Sequence, residues 1–129
     1  MSSSYLGLLG LARRAGKIEM GDDAAKAACT SGAARLIIIS NEASSRTRET
    51  FEFLAENSNI PHIPVSDTRE EIGNALGKRP IAVCALCDTG FAAAGIKKLA
   101  DINEDAKNAL PEAVRKADRV AARAKKKHK

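Results

Sequence analysis

Two short apolar runs, Leu36-Ile37-Ile38-Ile39 and Ile81-Ala82-Val83-Cys84-Ala85-Leu86-Cys87, constrain this chain more than any other feature. Each is too short for a core helix, and the first is rich in β-branched side chains, so each reads as a strand buried on both faces. Such a strand needs cover above and below. Helical patterns flank both runs, and strands alternating with helices predict an α/β fold: a three-layer α/β/α sandwich with these two strands side by side at the centre of a small sheet.

The first run belongs to the stretch from Gly21 to Ala43. Gly21 followed by Asp22 and Asp23 marks a helix start, where either aspartate is placed to accept bonds from the first free backbone N–H groups. Ser31-Gly32 marks its stop, because glycine enters the left-handed conformation without a Cβ penalty. The polar loop Ser40-Asn41-Glu42 ends the strand. Upstream, residues 3–15 put Tyr5, Leu8, Leu9, Leu11, Ala12 and Ala15 mostly on one helical face, with Gly16 as the stop. Arg13 and Arg14 fall in the last turn, where they either complement the helix dipole or face an anion. Lys17-Ile18-Glu19-Met20 alternates as a small edge strand does.

Downstream, a serine at 44 or 45 caps a helix reaching about Asn57 that buries Phe51, Leu54 and Ala55. Pro61 and Pro64 exclude a central strand between Ile60 and Val65 and leave a short one near its end. Asp67 or Thr68 caps the next helix, which Gly77 closes, and Lys78-Arg79-Pro80 forms a tight basic loop. Asp88-Thr89-Gly90 turns the second apolar run into a helix to about Ala100. Residues 104–125 are helix-permissive, with a break or restart expected at Pro111.

At 129 residues, 44% apolar and 29% charged, the chain is long enough for one soluble globular body without disulfide or metal support. An aromatic content of 3% argues against a β-sandwich or a stacking platform for single strands. Three cysteines in no framework spacing, no run of membrane-spanning length, and a start, Met1-Ser2-Ser3-Ser4, without signal-peptide order lead to an expected cytoplasmic setting. The net charge of +5 is uneven: residues 112–129 hold eight Lys/Arg and two Asp/Glu, whereas residues 1–111 hold 13 basic and 14 acidic groups. The expected organisation is therefore a body over 1–103 and a basic, partly helical tail over 104–129. That tail is either a phosphate-binding element or a solvated helix end.

Catalytic and metal motifs find little support. Cys84 and Cys87 spell C-x-x-C, but a spacing of three inside a strand sends them to opposite faces as buried, inert thiols. Cys29, His62 and His128 have no zinc-ligand spacing. Asp88-Thr89-Gly90 has the pattern of an aspartic-protease turn, yet it occurs once and between helical segments, so Asp88 reads as a helix cap. No serine has a nucleophile setting and no phosphate loop or dinucleotide fingerprint is present. What remains is a binding surface. The helix start at Gly21, the loop at Asn41-Glu42 and Lys78-Arg79-Pro80 converge if the strands order as expected, and free N–H groups, amides and cations suit an irregular RNA.

The chain resembles the superfamily of kink-turn RNA binders named after ribosomal proteins L-seven-Ae and L-thirty-e, especially its small bacterial YlxQ-like branch. The resemblance rests on Leu8-Leu9-Gly10-Leu11-Ala12-Arg13-Arg14-Ala15-Gly16-Lys17, Gly21, Ser31 to Ile38, Thr68-Arg69-Glu70-Glu71-Ile72-Gly73, Gly77-Lys78 and Asp88-Thr89-Gly90-Phe91-Ala92, and spans about residues 5–100. It implies a mixed, roughly four-stranded sheet, cytoplasmic binding of structured RNA such as ribosomal RNA on the ribosome, and no catalysis, cofactor, metal or membrane. The family's second-helix signature, G-x-N-E-x-x-K, falls on Gly21, Asp23, Ala24 and Ala27, so only the glycine is kept and Lys26 stands one residue out of phase. Its other contact regions fall on Asn41-Glu42 and on Lys78-Arg79-Pro80. The candidate RNA-contact residues are therefore Gly21, Asp22, Asp23, Lys26, Asn41, Glu42, Gly77, Lys78, Arg79 and Pro80, with Arg13, Arg14 and Lys17 as further cations. Two other readings compete: a protein–protein module on the same fold without kink-turn specificity, and an enzyme built on Asp88.

Overall fold

The computed structural model describes residues 4–127; His128, weighed above as a metal ligand, lies outside them. The elements in chain order are α1 (Ser4–Arg14), β1 (Ile18–Met20), α2 (Asp22–Ser31), β2 (Leu36–Ser40), α3 (Ser45–Asn57), β3 (His62–Val65), α4 (Arg69–Ala75), β4 (Val83–Leu86), α5 (Thr89–Leu99) and α6 (Glu104–Lys127). The four strands form one sheet in the order β1-β4-β2-β3. It is mixed: β2 runs parallel to β3 and antiparallel to β4, and β1 is antiparallel to β4.

The two apolar runs take the two central positions, and every residue of β2 and β4 is buried. The proline-bearing β3 and the three-residue β1 take the edges, where a missing ladder donor costs least. Period-two alternation then sorts the side chains into two cores. Leu36, Ile38, Cys84 and Leu86 face α1, α4, α5 and the start of α6, whereas Ile37, Ile39, Val83 and Ala85 face α2 and α3. The fold is the expected three-layer sandwich. Cys84 and Cys87 point to opposite sides, as a strand spacing of three requires.

Local chemistry sets most element ends. Ser44 Oγ accepts the Thr47 N–H at 3.1 Å, and Asp88 Oδ2 accepts the Phe91 N–H at 2.9 Å, so Asp88 is a helix cap. Thr68 and Glu71 form a full capping box on α4, with both bonds at 3.0 Å. Gly32 closes α2 in the left-handed conformation, φ 81°.

Two expectations are corrected. Neither Asp22 nor Asp23 caps α2; both lie inside its first turn, and the cap position is Gly21, which makes no side-chain bond. And α6 does not break at Pro111 but runs through it for 24 residues. Buried Ala106 and Ala113 hold the helix to the body on either side of the proline. Asn103 ties its start to the sheet edge, donating from Nδ2 to the Pro64 carbonyl at 2.8 Å and accepting the Ala106 N–H at 3.1 Å. No helix among the described residues is long and apolar enough to cross a membrane.

Candidate nucleic-acid interface

Strand direction decides which loops meet. β1, β2 and β3 end, and β4 begins, at one end of the sheet. There the Gly21 N–H donates to the Val83 carbonyl at 2.9 Å, and the Ser40 N–H donates to the Ala82 carbonyl at 2.8 Å. The start of α2, the loop after β2 and the approach to β4 are thereby brought to one end.

Gly21 takes φ 94°, a conformation that favours glycine, and so turns the chain from β1 into α2. The first helical N–H with an i−4 acceptor is that of Ala25, bonded to the Gly21 carbonyl at 2.9 Å. The N–H groups of Asp22, Asp23 and Ala24 come before it and have no intrahelical acceptor. This helix start is therefore open, a cluster of donors with two exposed carboxylates beside it. The carboxylates disfavour a phosphate there and suit the amino edges of bases. Lys26 stands exposed one turn further along.

Lys78, Arg79 and Pro80 are exposed and share with Met20 and Ile81 a depression of about 340 Å³. Met20 directly precedes Gly21, so the basic loop borders the open helix start. The loop is held there by close backbone packing. A Cβ on buried Gly73 would lie 2.3 Å from the Arg79 carbonyl oxygen, so α4 and this segment approach to a distance that only glycine permits. Gly77 turns the chain at φ 65°, and the Arg13 guanidinium lies against it and donates to the Leu76 carbonyl.

Asn41 and Glu42 are exposed at the same end, but each spends a polar atom on the fold. Asn41 Nδ2 donates to the Ser66 carbonyl, and Glu42 Oε1 accepts the Arg69 N–H, both at 2.9 Å. Buried Ser40 donates from Oγ to the Asp67 carbonyl at 2.8 Å and accepts the Glu42 N–H at 3.0 Å. Buried Tyr5 donates to the Asp67 carboxylate, and burial and that carboxylate raise its pKa so that the hydroxyl keeps its proton. The β2–α3 loop and the start of α4 are thus one stitched unit.

The other expected cations divide. Arg13 is engaged beside Gly77, at the margin of the basic loop. Arg14 lines a groove between α1 and α4 with Leu6, Leu11, Glu71 and Asn74. Lys17 lies at the opposite end, where its carbonyl accepts the Cys87 N–H at 2.8 Å. Sequence reasoning passed over Arg46 and Arg69, which begin α3 and α4 at the candidate end. Arg46 carried a usable signal, since a cation in the first turn of a helix opposes the dipole.

No group of three or more His, Cys, Asp or Glu suited to a metal occurs among the described residues. The three cysteines are free thiols, Cys29 and Cys84 buried and Cys87 half-buried. Burial pushes Cys84 up to about 12, and burial, with a smaller effect of Glu19, raises Cys87.

A family model described as the ribosomal protein L7Ae/L30e/S12e/Gadd45 family matches residues 4–94. The chain belongs to that family. It is 33% identical over 85 residues to the RNA-binding protein YlxQ of Bacillus subtilis (strain 168), an alignment covering 66% of this chain and 84% of YlxQ. Among solved structures, a protein of unknown function from Bacillus halodurans superposes with a TM-score of 0.72 at 28% identity, covering 76% of this chain and 98% of that one. The 15.5kD RNA binding protein of Giardia lamblia shares the fold, with a TM-score of 0.63 at 19% identity over 72% of this chain and 82% of its own. The family match ends before α6 begins.

Proposed function

We propose that this protein binds structured RNA, without catalysis, through the end of the sheet that carries Gly21, Asn41-Glu42 and Lys78-Arg79-Pro80. One observation carries the reading: in a chain of this family, the exposed basic loop shares a depression with Met20, the residue that directly precedes an uncapped helix start. Donors at the start of α2 suit base edges splayed from a helix, and Lys78 and Arg79 suit the phosphates that flank them. YlxQ's description as an RNA-binding protein supports the same assignment. A kink-turn, with ribosomal RNA first among the sources, is the proposed target, and the cytoplasm the proposed setting.

The test is binding of the full chain to a kink-turn RNA and to a straight duplex of equal length across a salt series. The wild type is expected to prefer the kinked RNA. Replacing Lys78→Gln and Arg79→Gln together should weaken binding roughly tenfold or more and make the salt slope shallower by about two. No preference for the kinked RNA, combined with no effect of these substitutions, overturns the proposal. It would favour the protein–protein reading, for which exposed Asp22 and Asp23 beside the basic loop offer a mixed-charge docking surface.

A further inference from the structure

At the other end of the sheet, α6 passes the points where β2 and β3 begin and α5 starts. Lys116, Arg119 and Arg123 of α6 line one depression of about 360 Å³ together with Arg35 before β2, Asn59 before β3, and Thr89 at the start of α5. At about 100° per residue the three α6 cations fall within roughly 60° of arc, and at about 1.5 Å per residue they span about 10 Å. They form a ridge rather than an evenly charged helix. Arg35 reaches in from the body, its guanidinium donating to the carbonyls of Gly32 at 2.6 Å and Ala34 at 3.1 Å.

Among the described residues, one carboxylate pairs with this ridge. Glu112 holds Arg115 at 2.8 Å and Arg119 at 3.4 Å, with side chains half exposed on both sides. Exposed pairs of this kind are weak because water screens them, so Arg119 exchanges Glu112 for a phosphate at little cost. Lys116 and Arg123 have no carboxylate within 4 Å among the described residues. None of the residues lining the depression is aromatic, so it offers charge and hydroxyl groups but no stacking surface. The whole ridge apart from Arg35 lies beyond the family match, so it is an addition to the shared fold.

We propose that this ridge is a second RNA-contact surface, one that holds phosphate backbone without reading sequence. It is independent of the Gly21 end: it contains none of those residues and needs no kinked RNA. The test uses the full chain carrying Lys116→Gln, Arg119→Gln and Arg123→Gln together, on exposed or half-exposed helical positions that leave the core intact. Circular dichroism should confirm the wild-type fold. Binding to a straight RNA duplex is then measured across a salt series, with the Lys78→Gln/Arg79→Gln protein in parallel. The ridge variant is expected to lose about tenfold or more in duplex affinity and to show a salt slope shallower by two to three, while keeping any preference for kinked over straight RNA. A ridge variant with wild-type affinity and slope, or a wild type that does not bind the duplex, overturns this proposal. Loss at the ridge with no kink preference in the wild type leaves it standing and removes the reading of the Gly21 end instead.

Discussion

Gly73 is the residue on which the geometry of the candidate interface most directly rests. A methyl group there would meet the backbone of Arg79 and Lys78, neither of which has room to yield as a flexible side chain does. Gly73→Ala is therefore expected to destabilise the fold by about 1–3 kcal/mol, read from urea unfolding, and to displace the Lys78–Pro80 loop. Reduced RNA affinity in a variant still folded at the assay temperature is the second readout. Glu71 makes a different residue-scale prediction. Its bonds to Thr68 hold its carboxyl below the ordinary value of 4.5. A lowered folded value means that its contribution is complete above about 4.5 and is lost as the pH falls through the folded value. Glu71→Gln keeps the reciprocal cap but cannot titrate. The wild type's thermal midpoint should therefore fall more steeply than the variant's on acidification below about pH 4.5, and parallel curves would count against the assignment.

Among the elements, α2 and α6 show how a local signal is turned to another use by its surroundings. Asp22 and Asp23 are good capping residues, but hydrogen bonding of Gly21 to Val83 places the turn one residue earlier and leaves both acids on the first turn. Relative to the family signature, this start lacks the amide, the glutamate and the lysine. Asp23→Asn, Ala24→Glu and Ala27→Lys together are expected to raise affinity for a kink-turn RNA by about tenfold or more, or 1.4 kcal/mol, with little change on a straight duplex. Equal affinity before and after the change in a titration would show that this helix start does not contact the RNA. In α6, Pro111 removes a bond to the preceding turn, a cost of about 3 kcal/mol in an isolated helix. Packing of Ala106 and Ala113 on the body offsets it. Neither acid placement nor helix continuity was legible locally, because each depends on a partner distant in sequence.

For the molecule as a whole, stability rests on the two sheet faces rather than on any one helix. Ile38 is 1% exposed and sits mid-strand in the larger core, paired in register with Cys84. Ile38→Ala is expected to cost about 2–5 kcal/mol in denaturant unfolding. The same truncation at half-exposed Val120 should stay within about 0.5 kcal/mol. The charge distribution is also a property of the whole. The cations that look like one site in the sequence are divided, with Lys78 and Arg79 beside the Gly21 end and Lys17 at the opposite end, where α6 also brings Lys116, Arg119 and Arg123.

By itself the sequence determined the two central strands, their burial on both faces, the glycine stops and the cap at Asp88, and it narrowed two further caps to Ser44 or Ser45 and to Asp67 or Thr68, of which the structure uses Ser44 and Thr68. All of these follow from side-chain periodicity and bonds spanning three or four residues. The resemblance carried by segments from Leu8 to Ala92 added the family. The tertiary structure alone decided that Arg13 turns to the Leu76 carbonyl and that Lys17 lies at the far end. It also decided that Asn41 and Glu42 partly serve the start of α4, and that α6 brings Lys116, Arg119 and Arg123 beside Arg35. These outcomes depend on which backbone and side-chain groups meet across tens of residues of chain, and that is set by strand order and helix packing, which no local pattern encodes.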